Sequence, residues 1–207
     1  TGTLTLRAHA TTNKSTRIGR TALVSAATAG ASSGTRRNVL EWTIGGDTGG
    51  AIVGGFRFKT RFIIDTVPAT YRWFVGVNAA AAVIGNVNPS TQVNMIGFGC
   101  DVGQTTVRLF QCGAANPANL TVTDLGVNFP STTAGTVYEA EIIATPLTGR
   151  ISVALLNLSS GAYFEDQITT NLPANTVLLA WQLWCNNGTT AAASSIAIAT
   201  VYGETDV

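Results

Sequence analysis

The chain has 207 residues, of which only 11% are charged, and its formal net charge is +1. That charge density lies well below the roughly 25% usual for soluble domains, and the near-zero balance leaves no broad basic field of the kind nucleic-acid binding needs. No apolar run approaches the ~18 residues of a membrane span, so membrane insertion is not expected either.

The surface must then be built from Thr, Ser, Asn, Gly and Ala. Such an exterior is either neutral and hydroxyl-rich or partly hidden against copies of the chain, which argues for an oligomer. One all-β domain over residues 1–207 fits, since sandwiches and barrels of roughly 200–250 residues fold as single units. The chain opens on Thr1 rather than Met, so it reads as a piece of a longer protein, with residues 1–15 as a candidate connecting segment.

In chain order, Leu4 and Leu6 alternate with Thr3, Thr5 and Arg7 and predict a short first strand. Ile18, Leu23 and Val24 predict a second, and Ser25 to Gly34 reads as a small-residue loop. Val39, Leu40, Trp42 and Ile44 predict a strand over Thr35 to Ile44, ending at the glycine-rich Gly45 to Gly50. No P-loop Lys follows those glycines, so they cradle no phosphate.

The stretch from Gly55 to Val77 carries the strongest pattern. Phe56, Phe58, Thr60, Phe62 and Ile64 fall on one strand face and Arg57, Lys59, Arg61 and Ile63 on the other. Asp65 to Thr70 supplies turn residues before Tyr71 to Val77 resumes the strand pattern, so the segment predicts a hairpin, with Arg72 extending the basic stripe. Ala79 to Val83 predicts at most a short helical turn.

Val93 to Phe98 and Thr105 to Phe110 predict a hairpin. Leu120 to Leu125, Val137 to Ala144 and Ile151 to Leu158 predict three more strands. Glu139 and Glu141 share one face of their strand, where they are natural cross-strand partners for Arg57, Lys59 and Arg61. Val177 to Cys185, the turn Asn186-Asn187-Gly188-Thr189-Thr190 and Ser194 to Tyr202 predict a final hairpin whose first strand is apolar on both faces, and therefore buried. Ten to twelve short strands in all predict an antiparallel β-sandwich or jelly roll.

Residues able to do chemistry are sparse. His9 is the only histidine, so neither a Ser-His-Asp nor a Cys-His arrangement is expected, and imidazole ligation of a metal lacks partners. Cys100, Cys112 and Cys185 have no metal-ligand spacing and read as buried free thiols. Asp47 and Asp101 are turn formers or, alternatively, oxygen ligands for calcium. No cofactor is expected.

Glu139 and Glu141 lie two apart on a strand, about 7 Å, within the range of glycosidase carboxylate pairs. Jelly-roll glycosidases that resemble concanavalin carry a further Glu three residues on, whereas this chain has Ala144. Charge pairing is therefore the expected role, and no catalytic residue is expected. Carbohydrate binding needs only a stacking ring and a few fixed polar groups. Trp42 beside the glycine-rich loop, and Trp184 beside Asn186 and Asn187, are candidates for that role or for core packing.

Four segments carry a resemblance: Asn94 to Asp101, Thr170 to Thr176, Asn186 to Ala193 and Tyr202 to Asp206. They resemble segments of the C-terminal domains of tail-fibre and related virion structural proteins of tailed bacteriophages, and the likeness runs from about Thr16 to Asp206. The resemblance implies a concanavalin-like or jelly-roll sandwich at the tip of a homotrimeric fibre. It also implies a virion location, assembly in the host cytoplasm, contact with other virion proteins, and a bacterial cell-surface glycan or protein as receptor. The alternatives are a decorating or structural virion protein and a virion-borne glycan depolymerase using Glu139 and Glu141.

Overall fold

A computed structural model describes residues 2–7, 19–46, 54–146 and 148–205. Among these, thirteen strands follow in chain order: β1 (Thr3–Arg7), β2 (Arg20–Val24), β3 (Ser32–Arg36), β4 (Phe56–Thr66), β5 (Arg72–Asn78), β6 (Met95–Cys100), β7 (Arg108–Cys112), β8 (Leu120–Asp124), β9 (Val137–Thr145), β10 (Arg150–Asn157), β11 (Tyr163–Ile168), β12 (Ala180–Asn186) and β13 (Ser195–Thr205). They form two antiparallel sheets. One has seven strands in the order β1-β2-β13-β4-β9-β10-β11, and the other has six in the order β3-β12-β5-β6-β7-β8. The all-β sandwich expected from the strand pattern is the observed fold.

The alternation in β4 does what its sequence dictates. Phe56, Phe58, Thr60, Phe62 and Ile64 are buried, while Arg57 is exposed and Lys59 and Arg61 are half-buried on the opposite face. The buried rings meet those of the other sheet. Phe62 lies 5.3 Å from Trp73 of β5, and Phe58 stacks on Trp181 of β12 at 6.4 Å. Tyr138, Ala140, Ile142 and Ala144 of β9 extend the same core. Rings of this size dominate burial energetics, so the facing β4 and β5 surfaces hold the sandwich closed.

That facing geometry corrects the two hairpins predicted around β4 and around Asn186 to Thr190. β4 pairs with β13 and β9, whereas β5 pairs with β12 and β6 in the other sheet. The turn between β4 and β5 thus carries the chain across the core. β12 and β13 likewise belong to different sheets, joined through Asn187 to Ser194. In both cases each strand brings large apolar side chains to one face, and arching across the core buries those faces against each other. The hairpin predicted around Cys100 to Gln104 does form, as β6 paired with β7.

Three further expectations shift. The third strand occupies Ser32–Arg36, across the boundary between the segment expected to be a loop and the strand predicted from Thr35; beyond Arg36 the predicted strand contributes only an isolated bridge from Trp42 to Leu179. Residues 79–83 form no helical turn; a 3-10 turn spans Pro89–Thr91 instead. Arg72 leaves the basic stripe for the outer face of the six-stranded sheet. There it is buried, donating to the side-chain oxygens of Asn186 at 2.9 Å, Asn88 at 3.0 Å and Asn86.

The expected burial of β12 and the free state of the cysteines hold. Burial pushes the Cys100 and Cys185 thiols up to about 12, which leaves them protonated and unreactive at neutral pH.

Candidate functional site

The two sheets present very different outer faces. On the six-stranded sheet, Phe74, Met95, Phe110, Cys112 and Trp184 form a second apolar cluster, roofed by Val83 and Ile84 from the connection between β5 and β6. On the seven-stranded sheet, beyond a largely buried apolar row of Ala197, Ile63 and Val137, the outward side chains of β13, β4, β9, β10 and β11 include three mostly polar cross-strand rows. One row runs Thr200, Arg61, Glu139, Leu156, Tyr163; the next Tyr202, Lys59, Glu141, Ala154, Glu165; the third Glu204, Arg57, Ile143, Ser152, Gln167.

The centre of this face is an ion-pair lattice. Arg61 contacts Glu139 at 2.7 Å, Lys59 contacts Glu139 at 2.8 Å, and Arg57 reaches diagonally to Glu141 at 2.6 Å. The cross-strand pairing expected between the basic strand and the two glutamates is therefore present. Hydrogen bonds from Lys59 and then Arg61 hold Glu139 below its ordinary value, outweighing its partial burial. A glycosidase general acid needs the opposite, a carboxyl whose pKa is raised so that it keeps its proton near neutrality.

Two exposed tyrosines flank the lattice. The Tyr163 hydroxyl donates to Glu165 at 2.8 Å, and that of Tyr202 donates to Glu204. Those hydrogen bonds raise both phenol pKa values, so neither tyrosine is set up as a general base. Between β9 and β11 the face sinks into an open depression of about 480 Å³, lined by Glu141, Ser152, Ala154, Tyr163, Glu165 and Gln167 among others. Its size arises from sequence: Ala154 and Ser152 are small residues on β10, and the larger side chains of the neighbouring strands rise on either side of them.

The site residues expected from sequence do not converge. Trp42 is 2% exposed and stacks on Phe56 at 5.2 Å, so it offers no face to a ligand. Trp184 is fully buried beneath Val83 and Ile84. Asn186 and Asn187 are loop staples. Asn186 donates to Gly30 O, Ala31 O and Ser32 Oγ, and Asn187 to Ala26 O, Thr28 O and Ala192 O. Asp101 accepts from the Ser90 amide at 3.1 Å, the turn-forming role expected of it.

Asp47 and His9 lie outside the described residues. Among the described residues no group of three or more His, Cys, Asp or Glu side chains is placed to hold a metal. What sequence reasoning missed is Tyr163, Ser152 and Gln167. The signal was the alternation of Tyr163, Glu165 and Gln167 on one face of β11.

No protein-family model and no curated protein sequence matches this chain. Solved structures do match. The Lotus tetragonolobus seed lectin is similar over 99% of this chain and 93% of its own, with a TM-score of 0.58 and 12% identity. Alginate lyase A1-II', of polysaccharide lyase family 7, is similar over 91% of this chain and 80% of its own, with a TM-score of 0.57 and 10% identity. A protein of unknown function from Shewanella oneidensis MR-1 is similar over 99% of this chain and 75% of its own, at 0.53 and 15%. The chain thus has the concanavalin-like jelly-roll architecture that lectins and a polysaccharide lyase share.

Proposed function

We propose that this chain is a non-catalytic glycan-binding domain whose ligand lies on the open outer face of the seven-stranded sheet, over β9, β10 and β11. The observation that carries the reading is the depression itself. An exposed ring, Tyr163, stands beside polar groups of Ser152 and Gln167 and the carboxylates of Glu141, held by Arg57, and Glu165, held by Tyr163, over a small-residue floor. A sugar needs such a ring for its C–H face and converging donors and acceptors for its hydroxyls. The lectin likeness supports this use of the fold.

Glycan depolymerisation is the weaker reading. Both glutamates proposed for it are held in ion pairs, Glu139 by Lys59 and Arg61 and Glu141 by Arg57, and both tyrosines on the face resist losing their protons.

The resemblance of four segments to phage fibre ends supports a finer reading, in which the glycan belongs to a bacterial surface and the domain sits at the tip of a homotrimeric fibre. A decorating virion protein is its alternative. Light scattering after size exclusion separates these: a stable trimer supports the fibre tip, and a monomer moves the weight to decoration.

Binding of the intact chain and its Tyr163→Ala variant to an oligosaccharide array tests the main proposal. The expected result is a set of bound sugars that the variant loses. Time-dependent shortening of any arrayed glycan, abolished in Glu139→Gln or Glu141→Gln, would replace binding by catalysis.

A further inference from the structure

Every Phe, Trp and Tyr of the chain lies among the described residues, and only Tyr163 and Tyr202 are exposed, at 58% and 50%. Both stand on the outer face of the seven-stranded sheet, Tyr163 on β11 and Tyr202 on β13. Single exposed apolar residues are ordinary, but these two share a face and a mounting. Each hydroxyl donates to the glutamate two residues on in its own strand, Tyr163 to Glu165 at 2.8 Å and Tyr202 to Glu204. Residues two apart on a strand share a face, so the bond leans each ring along its strand and fixes its rotamer. A ring held in this way has less freedom to lose when a ligand stacks on it.

The spacing sets the size of that ligand. Three strands, β4, β9 and β10, separate the two tyrosines. Four strand spacings put their backbones about 19 Å apart across the sheet. The cross-strand row that starts at Tyr202 passes Lys59, Glu141 and Ala154 and ends at Glu165, onto which Tyr163 leans. Lys59 and Glu141 are held in place by Glu139 and Arg57, so the path between the rings carries positioned polar groups. One sugar cannot touch both rings. A chain of several, laid across the strands, can.

We propose that the face takes an extended polysaccharide chain, running across the strands from Tyr163 to Tyr202, and not a lone terminal sugar. This rests on the glycan-binding reading above and adds a second platform to it. The depression holds one unit beside Tyr163, the Tyr202 ring carries another by its C–H face, and Lys59 and Glu141 meet hydroxyls of the units between.

Calorimetric titration of the intact chain with β-1,4-linked oligomers of glucose, mannose and N-acetylglucosamine, from two to eight units long, tests the proposal. In a series that binds, affinity is expected to rise about tenfold from dimer to hexamer, the factor one further stacking contact supports, and then to level off. Tyr202→Ala is expected to abolish the rise, and Tyr202→Phe, which keeps the ring, to retain it. Affinity independent of length, or the full rise in Tyr202→Ala, overturns the chain reading and leaves binding at Tyr163 standing. No binding of any oligomer by the folded chain overturns both.

Discussion

The outer faces of the two sheets began with the same problem and solved it in opposite ways. Each sheet spends one face on the shared core, which leaves a second to be covered or wetted. The six-stranded sheet covers its second face: Phe74, Phe110 and Trp184 lie beneath Val83 and Ile84, and Asn86 and Asn88 clamp that cover to the buried Arg72. The seven-stranded sheet buries a small apolar cluster on its second face, Ala22, Ile63 and Ala197, and wets the part beside it with charges, two tyrosines and a depression. A covered face stabilises, and an open one with fixed polar groups can bind. The contrast therefore sets the stabilising side of the molecule apart from the side proposed to bind.

The sharpest way to break the contrast is to exchange large side chains for alanine on each side. Trp184→Ala should cost about 3–5 kcal/mol in denaturant unfolding, as deletion of a buried ring does, whereas Tyr163→Ala should stay within about 0.5 kcal/mol. Equal losses would mean that the open face is also structural.

Arg72 comes next in size. Burial lowers its pKa, and its partners on the Asn side chains are neutral. Arg72→Ala strips donors from three amide oxygens and should cost about 2–3 kcal/mol, loosening the cover over Trp184. On the open face, Lys59→Gln should cost about 1 kcal/mol or less, because exposed ion pairs are weak.

Acid should reveal a smaller, shared effect. Burial pushes the Asp65 carboxyl up, but hydrogen bonds from Ser195 and Arg7 outweigh it, so its pKa is lowered, as that of Glu139 is. A carboxylate with a lowered native pKa stabilises the fold above its unfolded value of about 4, and that stability is lost as pH falls through the native value. Thermal midpoints should thus hold steady above about pH 5 and decline below about pH 4, with a shallower decline in Asp65→Asn. A midpoint that rises on acidification would contradict the assigned ion pairs.

Much of this fold was legible in the sequence because its signals are local. The strict alternation of β4 set which face of the strand is buried, and the glutamates of β9 matched the cations of β4 before any register was known. Strand partners were not legible. A turn rich in Asp, Pro and Thr serves an arch between sheets as well as a hairpin, and only the facing of Phe62 and Trp73 across the core decides between them. The site was hidden for a related reason. Trp42 and Trp184 sit beside loops in sequence, but burial is set by distant segments. The depression arises from the small residues Ala154 and Ser152 lying between taller neighbours on β9 and β11, a relation that exists only once three strands are in register.

The central claim, that the open face of the seven-stranded sheet is the binding face, is tested most directly by mapping backbone amide chemical shifts on titration with an oligosaccharide retained by the array. The account predicts that the largest shifts cluster on Glu141, Ala154, Tyr163 and Glu165. Shifts concentrated instead at Gly30 to Gly34 and Val83 to Asn86, which line a separate depression of about 570 Å³ beside the six-stranded sheet, would contradict it.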